Sequence, residues 1–408
     1  MVEENNSKDF CQIILSIVKW SLNKAHRPEN SLNLCKAWLK LCQRNSLNSD
    51  EAEYFLGVCH FHLEHFLDAK IHFEQISLTS NIVDPIKIKV NLAECHYHLG
   101  ELYKAESLLK NLNWVDEEFQ AEIVDSKRKA LMILSKVQVS LNRFSEAKNT
   151  LAILDSHQFQ QSNNETQFLL EKTSCYVDMG LFREAKQIMN SIQINDHRPE
   201  DKNEMLEKAH LNALLGYSNV ATDDKKGLEL IGDNGLELLN GSIKTWESID
   251  RELLSPAIIK AYLYAGECQR YLGYLEKSNE YLEMALKLAV EMYDETRVHL
   301  LRAKALAQLG LLYIDQRDFN LAQNTFREAL AMLNFILEKP DRFSDSMVWI
   351  HQGLAEISLH EKNHKGAKEH IEMAVAISRQ VFPEPSEFLY RRLKRVQDAI
   401  SSIEYVHS

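Results

Sequence analysis

Glycine and proline are scarce in this sequence: 13 Gly and 7 Pro among 408 residues. Together they make up roughly 5% of the chain, against roughly 12% in average usage. Sheet proteins punctuate many short strands with Gly and Pro turns, so a sheet-rich fold is excluded. No glycine-rich loop ends in GK[ST], and no GxSxG nucleophile elbow occurs. No CxxC pair is present either. The seven cysteines, Cys11, Cys35, Cys42, Cys59, Cys95, Cys175 and Cys268, are odd in number and widely spaced. That pattern reads as free thiols in a reducing compartment. No run of 18 apolar residues exists, and the opening MVEENNSKDF lacks the basic and apolar parts of a signal peptide. A cytoplasmic or nuclear location with no membrane partner is therefore expected. Basic residues are outnumbered, 47 against 59 acidic, for a net charge of -12. Such a chain is a poor general binder of phosphate backbones, and no nucleic-acid partner is expected.

What remains is globular in composition, 45% hydrophobic and 26% charged, and it repeats itself. GVCHFHLEHFLDAKIHFEQI from Gly57 aligns with AECHYHLGELYKAESLLKNL from Ala93, 36 residues on. Each has a small residue, then Cys-His-aromatic-His-Leu, then an Ala 12 positions after the small residue. The same frame recurs from Ser135 to Ala147, around Tyr176 and Ala185, and from Gly266 to Ser278. It returns from Gly310 to Ala322 and from Ala355 to Ala367. A repeat of this length signals stacked helix pairs that bury their apolar faces against one another.

Leu309, Gly310, Tyr313, Ala322, Phe326 and Ala329 stand at the marked positions of the tetratricopeptide repeat, and the chain resembles that family from Ser49 to Val381. The resemblance implies an all-α TPR solenoid, a right-handed superhelix of antiparallel pairs of helices A and B. In such a stack the small residues lie where A and B cross. The gap between positions 185 and 278 spans about two repeats and implies a degenerate repeat within it. There ALLGYSNVA from Ala213 reads as helix A. Gly227, Gly232, Gly235 and Gly241 read as a kinked or looped helix B rather than a phosphate cradle. The last repeats are spaced by 44 or 45 residues, which predicts longer helices. The resulting division is N-terminal capping helices in 1–48, repeats 1 to 4 in 49–198 and the degenerate, irregular segment in 199–255. Long repeats follow in 256–382, and a C-terminal capping helix with a basic run occupies 383–408.

Two patterns invite a metal reading. His360-Glu361-Lys362-Asn363-His364 spells HExxH, which on a continuous helix sets two zinc ligands one turn apart. The repeat frame puts this segment at a turn between helices A and B, where a break separates the ligands. A denser set is His60, His62, His65 and His72 with His96 and His98. Cys59-His60 and Cys95-His96 occupy equal positions on adjacent A helices. Duplication of one ancestral CHxH repeat accounts for them without metal, and that reading is preferred. No metal, cofactor or catalytic residue is expected, and the cysteines read as buried inert thiols. The chain is expected not to be an enzyme.

In the family, positions 2, 5, 9 and 12 of helix A face the concave groove. The resemblance carries this role to Tyr54, Phe61, Lys87, Tyr97, Lys129, Lys136, Lys260, Arg270, Lys304 and Trp349. A groove of aromatic and cationic residues suits a protein partner, either an extended peptide or a helix with acidic and apolar anchors. Glu94 follows Lys87 and Glu267 follows Lys260, which breaks any basic stripe for RNA. The carboxylate clamp of chaperone adaptors is absent, because Tyr54, Val58, Val90 and Glu94 stand on the relevant face. The expected function is a scaffold or adaptor in a multiprotein complex. A peptide-sensing regulator and a helical-repeat RNA-binding protein are the alternatives.

Overall fold

Eighteen α-helices and no strand make up the described residues of the computed structural model. Those residues are 2–23, 28–77, 83–112, 121–155, 165–192, 202–222, 228–249, 255–293, 298–338, 343–381, 393–394 and 396–398. Helices α1 (Val2–Asn23) and α2 (Pro28–Arg44) come first. Then follow α3 (Asp50–His62), α4 (Phe66–Glu74), α5 (Pro85–His98), α6 (Leu102–Lys110), α7 (Ala121–Ser140) and α8 (Phe144–Leu154). Next come α9 (Glu165–Asp178), α10 (Phe182–Met189), α11 (Lys202–Thr222), α12 (Leu228–Ser248), α13 (Pro256–Tyr271) and α14 (Leu275–Tyr293). The series closes with α15 (Leu300–Asp315), α16 (Phe319–Leu337), α17 (Asp345–His360) and α18 (His364–Val381). From α3 on, odd-numbered helices are the A helices and even-numbered ones the B helices. The chain forms two compact units, Met1–Val137 and Gln138–Ser408.

The A–B turns explain how the fold manages with so little glycine. Each turn returns an amide to a carbonyl five residues back, as in His65 N to His60 O and Glu101 N to His96 O. This closure ends a helix with one residue in the left-handed region, which glycine adopts freely. Gly100, Gly180 and Gly273 fill that position with φ of 76°, 73° and 83°. Glu64, Asn142, Arg317 and Lys362 take the same position at 59°, 56°, 64° and 61°. Four turns thus accept a strained side chain where a glycine would sit.

In the first unit, α1 and α2 pack on α3 around Ile14, Leu15, Val18, Cys35, Trp38 and Leu56. The far side of α1 does not have the polar character of a solvent-facing cap: Ile13, Ile17 and Trp20 are all exposed on it. Beyond α3 a second core gathers Ala69, Phe73, Ile88 and Cys95. The B helices α4 and α6 are only nine residues long.

The second unit begins with short B helices, α8 of 11 residues and α10 of 8, and continues with longer rods. Its helices α14 and α16 have 19 residues each and α18 has 18, as the wider spacing predicts. The expected irregular helix is corrected: α12 runs unbroken through Gly232, Gly235 and Gly241 for 21 residues. Gly227 lies outside the described residues. A Cβ on Gly216 of α11 would come 2.5 Å from the Gly235 carbonyl, so these glycines let two backbones touch. Phe326 of α16 is buried between A helices. A Cβ on Gly310 or on Gly353 would come 2.4 Å from its ring. The unit also bonds across its own length. Asn142 donates to the Phe343 carbonyl (3.0 Å) and accepts from the Asp345 amide (3.3 Å). The expected C-terminal helix falls mainly outside the described residues, in which Leu393 and Val396 are buried. Among the described residues no helix is long and apolar enough to cross a membrane.

Candidate functional site

Three A helices of the first unit line up the residues expected to face a partner. On α3, Tyr54 and Phe61 are half-buried; on α5, so are Lys87 and Tyr97. The Asn91 amide donates to the Tyr54 hydroxyl (3.3 Å) and accepts from Lys129 of α7 (2.9 Å). Lys129 also pairs with Glu94 at 2.6 Å and lies 5.4 Å from the centre of the Phe61 ring. Phe61 and Tyr97 both set ring edges against His98. Burial pushes the Glu94 carboxyl up, but Lys129 and Lys136 outweigh it and hold Glu94 below the usual carboxylate range. Burial also holds His98 down to about 4, although Glu94 beside it favours the charged form. The face therefore offers aromatic surface, a charged Glu94 and two lysines at neutral pH.

The corresponding residues of the second unit are bound up with one another. Lys260 of α13 reaches Asp178 of α9 at 2.5 Å and Ser174 at 3.0 Å. Tyr264 donates to the other oxygen of Asp178 (3.1 Å), and its ring stacks on Tyr217 at 4.2 Å. Tyr217 and Tyr271 each donate to Glu267 at 3.0 Å. Arg270 pairs with Asp315 (2.8 Å) and Lys304 with Asp345 (3.2 Å). Burial raises Asp178, yet Lys260 and Lys304 hold it below its ordinary value. Trp349 is half-buried on α17. The network residues Asp178, Tyr217 and Tyr264 do not stand out in the sequence, because their partners lie up to 86 residues away.

The metal motifs resolve differently. HExxH is split, with His360 ending α17 and His364 opening α18. Cys59 lies in the apolar core, where its hydrogen bond to Cys35, with burial, raises the Cys35 thiol. Burial raises the Cys95 thiol as well. His96 is hydrogen-bonded through Nδ1 to Glu101, so Cys59-His60 and Cys95-His96 form no joint ligand set. Among the described residues, the grouping with metal-ligand spacing is His60, His65 and Asp68. Of these, Asp68 is not singled out by sequence reasoning.

The profile of the tetratricopeptide repeat matches residues 303–332. No curated protein sequence matches the chain. Among solved structures, the chain is similar to a Rap protein complexed with competence and sporulation factor. The TM-score is 0.57 at 11% identity, over 98% of this chain and 99% of that one. It is also similar to a monomeric mutant of IFIT1 with m7Gppp-AAAA, with a TM-score of 0.49 at 14% identity, over 98% of this chain and 83% of that one. The likeness to the Rap protein concerns the helical-repeat fold.

Proposed function

Because the chain is a tetratricopeptide-repeat protein, we propose that it is a non-enzymatic scaffold that binds a segment of another protein on the A helices of its first unit. The observation that carries this reading is the row formed by Tyr54, Phe61 and Tyr97 with Lys129 and Lys136 across α3, α5 and α7. Half-buried aromatic rings supply contact area at little entropic cost, and the lysines select acidic groups. A carboxylate from the partner would compete with Glu94 for Lys129. The matching cations of the second unit, Lys260, Arg270 and Lys304, each hold an acid of another helix or its entrance. The first unit, where Lys129 is 43% exposed against 3% for Arg270, is the better docking face for an extended peptide or helix with acidic and apolar anchors. The role in the cell is that of an adaptor within a larger assembly in the cytoplasm or nucleus.

The end-to-end fold likeness to the Rap protein, solved with competence and sporulation factor, favours one second reading. In it the solenoid is a ligand-sensing regulator. Affinity capture with mass spectrometry, comparing wild type with Tyr97→Ala/Lys136→Glu, tests the docking face. A partner lost only from a variant whose circular dichroism is unchanged supports it. An unchanged set of partners overturns it.

A further inference from the structure

The turn between α3 and α4 differs from the next turn in one chemical respect. The left-handed residue Glu64 and the bond from the His65 amide to the His60 carbonyl fold His65 back over the end of α3. Asp68 follows within α4. One ligand atom from each of His60, His65 and Asp68 lies within 4.8 Å of the others, and His60 Nδ1 is 3.8 Å from Asp68 Oδ2. His60 is only 7% exposed, and its Nδ1 has no hydrogen-bond partner. A buried polar atom left so costs stability unless a ligand completes it. His72 stacks on the His60 ring at 5.3 Å and is held by Glu53 at 2.7 Å, which fixes the ring.

The second turn, 36 residues on, serves as an internal control. It places His96, Glu101 and Lys104 where the first has His60, His65 and Asp68. There Nδ1 of the histidine is satisfied by Glu101, which also pairs with Lys70 and Lys104. That cluster is complete in itself. In the first turn a neutral ligand replaces the acid and an acid replaces the lysine. The charges leave a place for a cation among two imidazoles and one carboxylate.

We propose that His60, His65 and Asp68 bind one zinc ion at the turn between α3 and α4. Tetrahedral zinc, with bonds of about 2.0–2.1 Å, sets its ligand atoms ~3.4 Å apart. Small rotations of the exposed His65 and Asp68 side chains reach that spacing. Two imidazoles select a transition metal over magnesium or calcium. Water takes the fourth position on the exposed side. The ion would clamp the start of α4 to the end of α3, beside the face that carries Phe61.

The test uses the full chain without an affinity tag, stripped with a chelator and titrated with Zn²⁺ alone. Calorimetry and elemental analysis are expected to give one zinc per chain, with a rise in the melting midpoint. Asp68→Asn is expected to weaken binding. His65→Gln removes the imidazole ligand and keeps a polar side chain on the exposed turn, so it should keep the fold while weakening zinc by more than roughly tenfold, the loss that even an outer partner of a metal ligand produces. Cobalt substitution should show tetrahedral visible bands without a thiolate charge-transfer band. Absence of stoichiometric zinc in the wild type, equal affinity in His65→Gln, or a thiolate band would each overturn the assignment.

Discussion

The two units pack the same repeat, and their A-helix faces differ in how deeply the cations are buried. In the first unit, aromatic rings stand half-buried along α3 and α5. In the second, rods of 18 to 21 residues accompany a core residue that meets two A helices at once and a face laced by tyrosines and ion pairs. The α13 helix is buried along nearly its whole length, Arg270 included, with Lys260 half-buried. Both faces link their polar groups from helix to helix, and one repeat frame yields either a cation that stays 43% exposed, as Lys129 does, or one buried to 3%, as Arg270 is.

The sharpest way to break that comparison is at the aromatic wedges. Phe326→Ala is expected to destabilise the second unit by roughly 3–5 kcal/mol in urea unfolding, since it empties space against both Gly310 and Gly353. Phe73→Ala in the first unit should fall at the lower end of that range, because its ring is wedged against Gly57 alone among the described glycines. Equal losses would show that a second glycine contact does not deepen the wedge.

A smaller effect is expected from the ion pairs. Asp178→Ala strands Lys260 and removes the acceptor of Tyr264. With both partners mainly buried, a loss of roughly 2 kcal/mol follows. Lys129→Ala removes a cation that is 43% exposed and leaves the buried Glu94 with Lys136 as its counter-charge, so a loss of about 1 kcal/mol is expected, smaller than that of Asp178→Ala. If the two substitutions cost the same, the networks are not differently buried in solution.

The smallest effects belong to the turns, and they should differ in sign. Gly100→Ala forces a side chain into φ 76° and is expected to cost about 1 kcal/mol. Lys362→Gly relieves the same strain at φ 61° on an exposed turn and should stabilise by roughly 0.5 kcal/mol, read from thermal midpoints.

Much of this was legible because packing at a crossing demands residues of a given size. Gly57, Gly310 and Ala322 recur at fixed spacing since nothing larger fits, and the spacing alone foretold the longer helices. The glycines of α12 misled for the same reason. Gly235 marks a close approach of two backbones, and only the position of Gly216 on the neighbouring helix distinguishes that from a break. The residues expected to face a partner lie on A helices, but the partners of Lys260, Arg270 and Lys304 were hidden, because an ion pair between helices leaves no short-range period.

By itself the sequence determined an all-helical stack of TPR pairs, the positions of its turns and the different lengths of its rods. These follow from local sterics and from a periodic apolar pattern. Only the tertiary structure decided which cations are held by acids and which buried imidazole atom lacks a partner. Those outcomes depend on distances between side chains that the chain brings together from remote positions, and a Coulombic or hydrogen-bonded contact is set by distance in space rather than along the sequence.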